Sequence, residues 1–137
     1  MKMKIFLGND ICEIERIGEV FSKYGKKFLT RTFTELEIKY CLSNPNLTAQ
    51  RLAVRFAVKE AVSKALGVGI NKLGWDKGIN WKDVEVVRGD NGAVKTRLFN
   101  KAKAFEEKLG INEWAVSVSH SRTDALATVI GYSSFPS

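Results

Sequence analysis

Two side chains suited to handling a phosphate group lie one helical turn apart, the carboxylate of Glu60 and the ammonium of Lys64. Both fall inside a predicted helix, so their i, i+4 spacing puts them on the same side of it. One interpretation is a surface ion pair that stabilises the helix by a few tenths of a kcal/mol. The other is the edge of a cleft, because the nearby Ala53, Ala57 and Ala61 leave room for a ligand to approach.

A second carboxylate, Asp10, follows a short apolar strand and a glycine. Taken alone, an aspartate in this position is most often an Asx turn or a helix N-cap. If the fold brings Asp10 and Glu60 together near Lys64, the two carboxylates form an incomplete Mg2+ site that substrate phosphates and waters would complete. Lys64 would then neutralise phosphate charge as a point cation.

The element that carries Glu60 and Lys64 is predicted to be a helix of about five turns, from Arg51 to Gly69. Thr48 is the expected N-cap, and Gly67 is the expected C-terminal stop. The apolar stripe of this helix comprises Val54, Val58, Ala61 and Ala65, widened by Ala57 and Val62. Glu60 and Lys64 lie roughly 100° from the centre of the stripe, at the edge of the buried face.

The elements around this helix predict an α+β fold, with a mainly antiparallel sheet packed by helices around the long central one. The expected strands are Met3 to Leu7, ended by a turn at Gly8 to Ile11, then Asp83 to Arg88, Val94 to Leu98, Glu113 to His120 and Ala125 to Ile130. The other expected helices are Glu13 to Tyr24, one opened by the capping box Thr34-Glu35-Leu36-Glu37 and closed by Pro45, and Ala102 to Leu109. The end from Ser133 to Ser137 is expected to be frayed.

The composition predicts a single cytoplasmic domain over residues 1–137. Hydrophobic residues make up 45% of the chain, enough for a core that needs no disulfide or structural metal. Cys12 and Cys41 lack the spacing of a metal site or a redox motif, so we interpret both as free thiols in a reducing compartment. The apolar run at the start is too short for a signal peptide or a membrane span.

The formal net charge of +7 indicates an acidic partner or ligand. Candidates are nucleic acid, a membrane surface, a phosphate-rich cofactor or an acidic protein, and the plain alternative is a soluble basic protein with no such partner. The sequence has no arginine-rich block, RNP-like motif or zinc finger, so nucleic-acid binding is supported by charge alone.

Two segments carry a resemblance to a known family. Gly8-Asn9-Asp10-Ile11, followed by Glu15-Arg16-Ile17, resembles the first motif of the phosphopantetheinyl transferases, and the run from Phe56 to Ala65 (FAVKEAVSKA) resembles their second and more specific motif. The small bacterial type, holo-acyl-carrier-protein synthase, is similar over nearly the whole chain. It shares the segment Arg31 to Cys41, a DVEV strand before an Asp-x-Gly turn, and a Val-Ser-x-Ser-His ending.

The resemblance implies an enzyme that moves 4'-phosphopantetheine from coenzyme A to a serine of apo acyl carrier protein, releasing adenosine 3',5'-bisphosphate, in support of fatty acid biosynthesis. It implies Asp10 and Glu60 as Mg2+ ligands, Glu60 as an acceptor of the serine proton, and Lys64 as a catalytic residue that holds a phosphate. Further implied contacts to coenzyme A are Arg55 and His120. Docking of the acidic carrier protein is implied for Arg16, Lys27 and Arg31, although each also fits an ordinary solvated charge. The small members of the family are similar in forming homotrimers with active sites at subunit interfaces.

One position departs from the family pattern. A histidine commonly precedes the Val-Ser of the penultimate strand, and here Ala115 stands in its place. His120, the only histidine of the chain, matches the second histidine of the small type, and a lone histidine is more often a structural hydrogen-bonding residue than a catalyst. Two alternatives to the transferase therefore stay open, a basic nucleic-acid-binding module and a catalytically silent homologue. The presence of Asp10, Glu60 and Lys64 argues against the silent homologue.

Overall fold

The computed structural model of the chain describes residues 3–71 and 77–134. Within these ranges the chain forms five strands and five α-helices, together with single 3-10 turns at Pro45–Leu47 and Trp81–Asp83. In order they are β1 (Ile5–Glu13), α1 (Ile14–Tyr24), α2 (Lys26–Thr32), α3 (Glu35–Leu42), α4 (Thr48–Leu66), β2 (Val84–Arg88), β3 (Val94–Leu98), α5 (Asn100–Leu109), β4 (Glu113–His120) and β5 (Asp124–Tyr132). The α+β prediction is confirmed, and within the described ranges no helix has both the length and the apolar composition to cross a membrane.

Both sheets are antiparallel. The larger sheet has the strand order β1-β5-β4, and β2 pairs with β3 as a separate hairpin. In the larger sheet Leu7 lies opposite Ile130, and Ala115 lies opposite the same residue from the other side. One face of this sheet packs on α4, which makes its most extensive contacts with β1 and β5. The long helix is therefore the centre of the molecule, as predicted.

Helix α4 is buried on most of its surface. The six residues of the predicted stripe are all buried, and Gly67 ends the helix in the left-handed conformation with φ 74°. The predicted N-cap is wrong, because Thr48 already lies inside the helix and its hydroxyl donates to the carbonyls of Cys41 and Asn44. Leu47 occupies the cap position without a side-chain hydrogen bond.

The turn predicted at Gly8 to Ile11 is wrong, because these residues continue strand β1 and pair with β5. A Cβ at Gly8 would stand 1.8 Å from the carbonyl oxygen of Ala61, well inside contact distance. The glycine therefore serves close packing of β1 against α4 instead of a turn. This contact brings the backbone of β1 onto the helix at the turn that carries Glu60 and Lys64.

Three further predictions need comment. The capping box at Thr34 is confirmed in both directions, while the helix it opens ends at Leu42, before Pro45. Helix α2 was not predicted; it begins directly after Gly25 without a side-chain cap. Fraying is wrong for Ser133, whose hydroxyl donates to the carbonyl of Gly110, and for Ser134, which bonds to Asn112. Residues 135–137 lie outside the described residues.

Candidate active site

Asp10 and Lys64 meet between β1 and α4. The Lys64 ammonium donates to Asp10 Oδ1 at 3.0 Å and to the carbonyl oxygen of Asn9 at 3.1 Å. Asp10 is on the face of β1 that packs on α4, two residues after Gly8 and thus on the same side of the strand. The close approach at Gly8 therefore explains why a strand carboxylate reaches a helix lysine.

Glu60 lies one turn before Lys64 on the exposed edge of α4 and is half-buried. Its own backbone carbonyl accepts a hydrogen bond from Ser63 Oγ at 2.7 Å. The Glu60 side chain lines the same cavity as Asp10 and Lys64. The structure thus brings together the three residues that the sequence nominates for phosphate and metal chemistry.

We call this space the central cavity; its volume is about 660 Å3. Its polar end is formed by Asp10, Glu60 and Lys64. The apolar part of its lining, which we call the apolar wall, comprises Ile17, Val20, Phe28, Phe56 and Trp81. The charged residues Glu13, Arg16 and Asp124 also line the cavity. Such a cavity can receive a phosphate group at its charged residues and apolar atoms of a ligand or partner at its apolar ones.

Cys12 also lines the central cavity, although only 8% of it is exposed. Burial, with a smaller effect of the nearby Asp10 carboxylate, raises the pKa of this thiol to about 11. Burial likewise raises the pKa of Cys41 to about 11. Both cysteines are unpaired, as predicted, and both stay protonated thiols near neutral pH, which makes them poor nucleophiles.

The residues predicted to dock a carrier protein lie on α1 and α2. Arg16 lines the central cavity and is exposed. Lys27 and Arg31 are exposed on α2, the helix that also places Phe28 in the cavity wall. Arg16 therefore borders the cavity directly, and Lys27 and Arg31 share α2 with Phe28 of its apolar wall.

His120 lies elsewhere. It lines a second cavity of about 450 Å3, which we call the His120 cavity, together with Gln50, Ser121 and Arg122. Its Nε2 is 3.1 Å from the amide nitrogen of Gln50, and its Nδ1 is 3.4 Å from the carbonyl oxygen of Ser121. Within one chain, His120 is thus not among the residues that line the central cavity.

Arg55 is also absent from the lining of the central cavity. It is 4% exposed and lies 4.4 Å from the centre of the Tyr40 ring, where Arg51 stacks at 4.2 Å and Arg88 lies at 5.9 Å. Among the described residues, none of these three arginines forms an ion pair with a carboxylate, and Arg55 Nε is buried without a hydrogen-bond partner. We call this group the Tyr40 arginine cluster.

Ala115, where the family commonly has histidine, lies on the face of the larger sheet that points away from α4. We call this the outer face; it also carries Leu7, Ile11 and Leu126, of which Leu7 is 62% exposed and Ile11 64%. The departure from the family pattern therefore falls on one face of the larger sheet, and Asp10 lies on the opposite face.

The sequence analysis missed the apolar wall. Phe56 could have been found, because Phe56, Glu60 and Lys64 follow one another at four-residue spacing on one side of α4. Trp81 carries no such signal, since it reaches the cavity from a short turn before β2 and stacks on the Phe56 ring at 4.6 Å.

Comparison with known proteins places this arrangement in a family. The model of the 4'-phosphopantetheinyl transferase superfamily matches residues 6–125. The chain therefore belongs to this superfamily of enzymes.

Within the superfamily, the similar proteins are holo-[acyl-carrier-protein] synthases. The protein of that name from Gloeobacter violaceus is 44% identical over 123 residues, covering 90% of this chain and 89% of the relative. The holo-(acyl-carrier-protein) synthase structure from Bacillus anthracis in complex with CoA (3',5'-ADP) superposes with a TM-score of 0.75 at 32% identity, covering 97% and 100% of the two chains. The Helicobacter pylori holo-[acyl-carrier-protein] synthase in complex with coenzyme A gives a TM-score of 0.75 at 30% identity, covering 91% and 98%.

Proposed function

We propose that this protein transfers 4'-phosphopantetheine from coenzyme A to a serine of apo acyl carrier protein, releasing adenosine 3',5'-bisphosphate, in support of fatty acid biosynthesis. The observation that carries the proposal is the convergence of Asp10, Glu60 and Lys64 on one cavity from two distant segments. Membership of the superfamily and the names of the relatives support the same reaction. The nucleic-acid-binding alternative retains only the positive charge as its support.

The residues of the polar end have distinct tasks in this proposal. Glu60 accepts the proton of the carrier serine as its hydroxyl oxygen attacks the phosphorus nearer the pantetheine arm. The bond to the bridging oxygen of the pyrophosphate breaks, and adenosine 3',5'-bisphosphate leaves. Lys64 places its positive charge on the phosphates, since phosphoryl transfer asks a protein mainly for positioning and charge neutralisation.

The donor set at the polar end fits Mg2+. The carboxylates of Asp10 and Glu60 are hard oxygen ligands, and Mg2+ is commonly held by one or two carboxylates together with substrate phosphates and waters. When bound, Mg2+ would neutralise the pyrophosphate charge. Asp10 already has a cation beside it in Lys64, so the site is built to hold positive charge at this carboxylate.

We further propose that the protein is a homotrimer that buries the outer face. Exposed apolar side chains from two adjacent strands, Leu7, Ile11 and Leu126 among them, form a patch of the kind that oligomers cover. We propose that His120 and Arg55, which do not line the central cavity of their own chain, serve coenzyme A that is held partly by a neighbouring subunit.

Two parts of the proposal concern the setting. The acidic acyl carrier protein docks on Arg16, which borders the central cavity, and on Lys27 and Arg31 of α2. The reaction takes place in the cytoplasm, where the two free thiols match a reducing environment.

The proposal is tested by release of adenosine 3',5'-bisphosphate, which should require coenzyme A, apo carrier protein and a divalent cation together. Release of this product without carrier protein would indicate hydrolysis and contradict the proposed transfer.

A further inference from the structure

Lys59, the neighbour of Glu60, points in the opposite direction and is completely buried. Its ammonium lies 2.9 Å from Glu37 Oε1 on α3, and the side chains of both residues are 0% exposed. Neither residue lines the central cavity. Burial, opposed by the adjacent Glu37 carboxylate, lowers the pKa of Lys59.

The other hydrogen bonds of this ion pair converge on the segment that leads into β2. Lys59 also donates to the carbonyl oxygens of Trp81, at 3.0 Å, and Val84. Glu37 Oε2 accepts from the backbone N–H of Val86 at 2.8 Å. All three protons of the ammonium thus have acceptors, and two of the acceptors belong to residues 81–84.

The segment from Trp81 to Val84, which Lys59 binds, supplies part of the wall of the central cavity. The Trp81 ring stacks on the Phe56 ring at 4.6 Å with an interplanar angle of 30°, and both rings line the cavity. Phe56 is fixed by its place on α4, one turn before Glu60. The position of Trp81 depends instead on a short turn whose carbonyl is bound by Lys59.

Stability alone does not account for such a pair. Removing two charges from water costs free energy that their attraction often only balances, and apolar side chains of similar volume can be equally stable. A buried pair that binds four backbone groups, three of them between Trp81 and Val86, fixes geometry in a way that apolar packing does not. The four groups are the carbonyls of Trp81 and Val84 and the N–H groups of Thr34 and Val86.

The aromatic pair lines the same cavity as residues of α1 and α2, the two helices on which the carrier protein is proposed to dock. Its apolar neighbours Ile17 and Phe28 come from α1 and α2, the two helices that also carry Arg16 and Arg31. An apolar surface framed by cations fits an acidic helix with an apolar contact face. The wall therefore belongs to the carrier side of the cavity.

We infer that the buried Lys59–Glu37 pair is a positioning device that holds Trp81 against Phe56 and so shapes the surface that receives the carrier protein. The inference rests on the proposed transferase function and goes beyond it by assigning a role to two residues outside the cavity. Lys59 and Glu37 touch no substrate in this scheme. Their effect on the reaction passes through Trp81.

The test uses a double variant, Lys59→Met with Glu37→Gln, which removes both charges while keeping volume and one acceptor oxygen. We expect the Michaelis constant for carrier protein to rise about tenfold, the scale of losing a well-packed interface contact. The Michaelis constant for coenzyme A and the turnover number should stay within about twofold, because the phosphate end is untouched. Trp81→Ala should reproduce this pattern. Lys103→Met, which breaks the ion pair between the half-exposed Lys103 and the buried Glu106, is the control and should change none of these constants.

A fluorine NMR measurement distinguishes a change in the position of Trp81 from a general loss of packing in the protein. In protein labelled with 5-fluorotryptophan, the 19F resonance of Trp81, assigned with Trp81→Phe, should move in the double variant while that of Trp114 stays. An unmoved Trp81 resonance, or equal rises in both Michaelis constants, would overturn the inference. If the double variant does not fold, an unchanged carrier constant in Trp81→Ala overturns it. Failure of the wild-type protein to modify any carrier would contradict the proposed function instead. The 19F measurement is made without substrate, so it would still decide whether the Lys59–Glu37 pair positions Trp81.

Discussion

The ammonium of Lys64 lies 3.0 Å from the carboxylate of Asp10, although the two residues are 54 positions apart in the chain. The contact joins the central helix to the first strand, and Gly8 makes it possible by letting β1 touch the helix backbone at Ala61. The Lys64 side chain is 55% exposed, whereas that of Asp10 is 16% exposed. The exposed lysine side chain can therefore turn towards a phosphate if the proposed metal ion binds at Asp10.

Replacing Glu60 with Gln tests whether this residue is more than one half of a surface pair. Gln keeps the size but loses the charge and the proton acceptor, so turnover should fall by roughly a hundredfold or more, the scale of losing general base catalysis. The melting temperature without metal should stay level or rise slightly, because two carboxylates held close together repel each other. Glu107→Gln, at an exposed site on α5, is the matched control. A Glu60→Gln protein that melts only slightly earlier and turns over normally would make the surface-pair interpretation right.

The variants Asp10→Ala and Lys64→Met should distinguish the role of the proposed metal ion from the role of Lys64. Asp10→Ala should weaken metal and coenzyme A binding together, because Asp10 would help to hold the proposed cation that neutralises the pyrophosphate charge. Lys64→Met should weaken coenzyme A binding while leaving metal affinity and the fold intact. Titration calorimetry with coenzyme A, at several Mg2+ concentrations, measures both effects. Full turnover of metal-stripped wild-type protein in excess EDTA would rule out the proposed cation.

Reversing the charge of Arg16 or Arg31 tests the docking surface. Each change to Glu should raise the Michaelis constant for carrier protein far more than that for coenzyme A, and the wild-type rate should fall with added salt. Lys95→Glu on the β2–β3 hairpin changes the net charge equally and should leave both constants near wild type. Equal effects of Arg16→Glu on the two substrates would show that this residue shapes the site instead of recruiting the partner.

The elements that depend on local chemistry could be predicted from local signals along the chain. The Thr34 capping box and the Gly67 stop could be predicted because the side chain or the missing Cβ acts within a few residues. Helix α2 could not, because its seven residues start without a side-chain cap. The role of Gly8 was misjudged since it comes from contact with Ala61, more than fifty residues away.

The candidate site likewise contains some residues that local signals could predict and others that depend on the tertiary fold. Glu60 and Lys64 follow from helical spacing, and Asp10 was nominated by its place after a strand and a glycine and supported by the family motif. The separation of His120 and Arg55 from the central cavity is a property of the tertiary fold, which spacing along the chain does not encode. The Lys59–Glu37 pair could not be predicted for a similar reason. Lys59 directly precedes Glu60 in a helix, and a helix lysine in such a place is normally a solvated charge, not half of a buried ion pair with another helix.

Assembly is tested by placing a charge on the outer face. Leu7→Lys should convert the proposed homotrimer to monomer and lower turnover sharply, because burying an unpaired ammonium in an apolar interface is costly. Leu36→Lys, at another exposed leucine on α3, should leave the assembly unchanged. Sedimentation velocity at the assay concentration measures both variants. A fully active wild-type monomer would contradict the trimer.

The central claim is that the residues at the polar end of the cavity carry out phosphopantetheine transfer, and intact-mass spectrometry of the carrier tests it most directly. Apo acyl carrier protein is incubated with coenzyme A, Mg2+ and this protein, beside parallel samples containing Glu60→Gln or excess EDTA. We predict that wild-type protein adds one phosphopantetheine group to a single serine, and that both parallel samples show little or no gain in the same time. An unmodified carrier after prolonged incubation with wild-type protein, or equal modification by Glu60→Gln, would contradict the account.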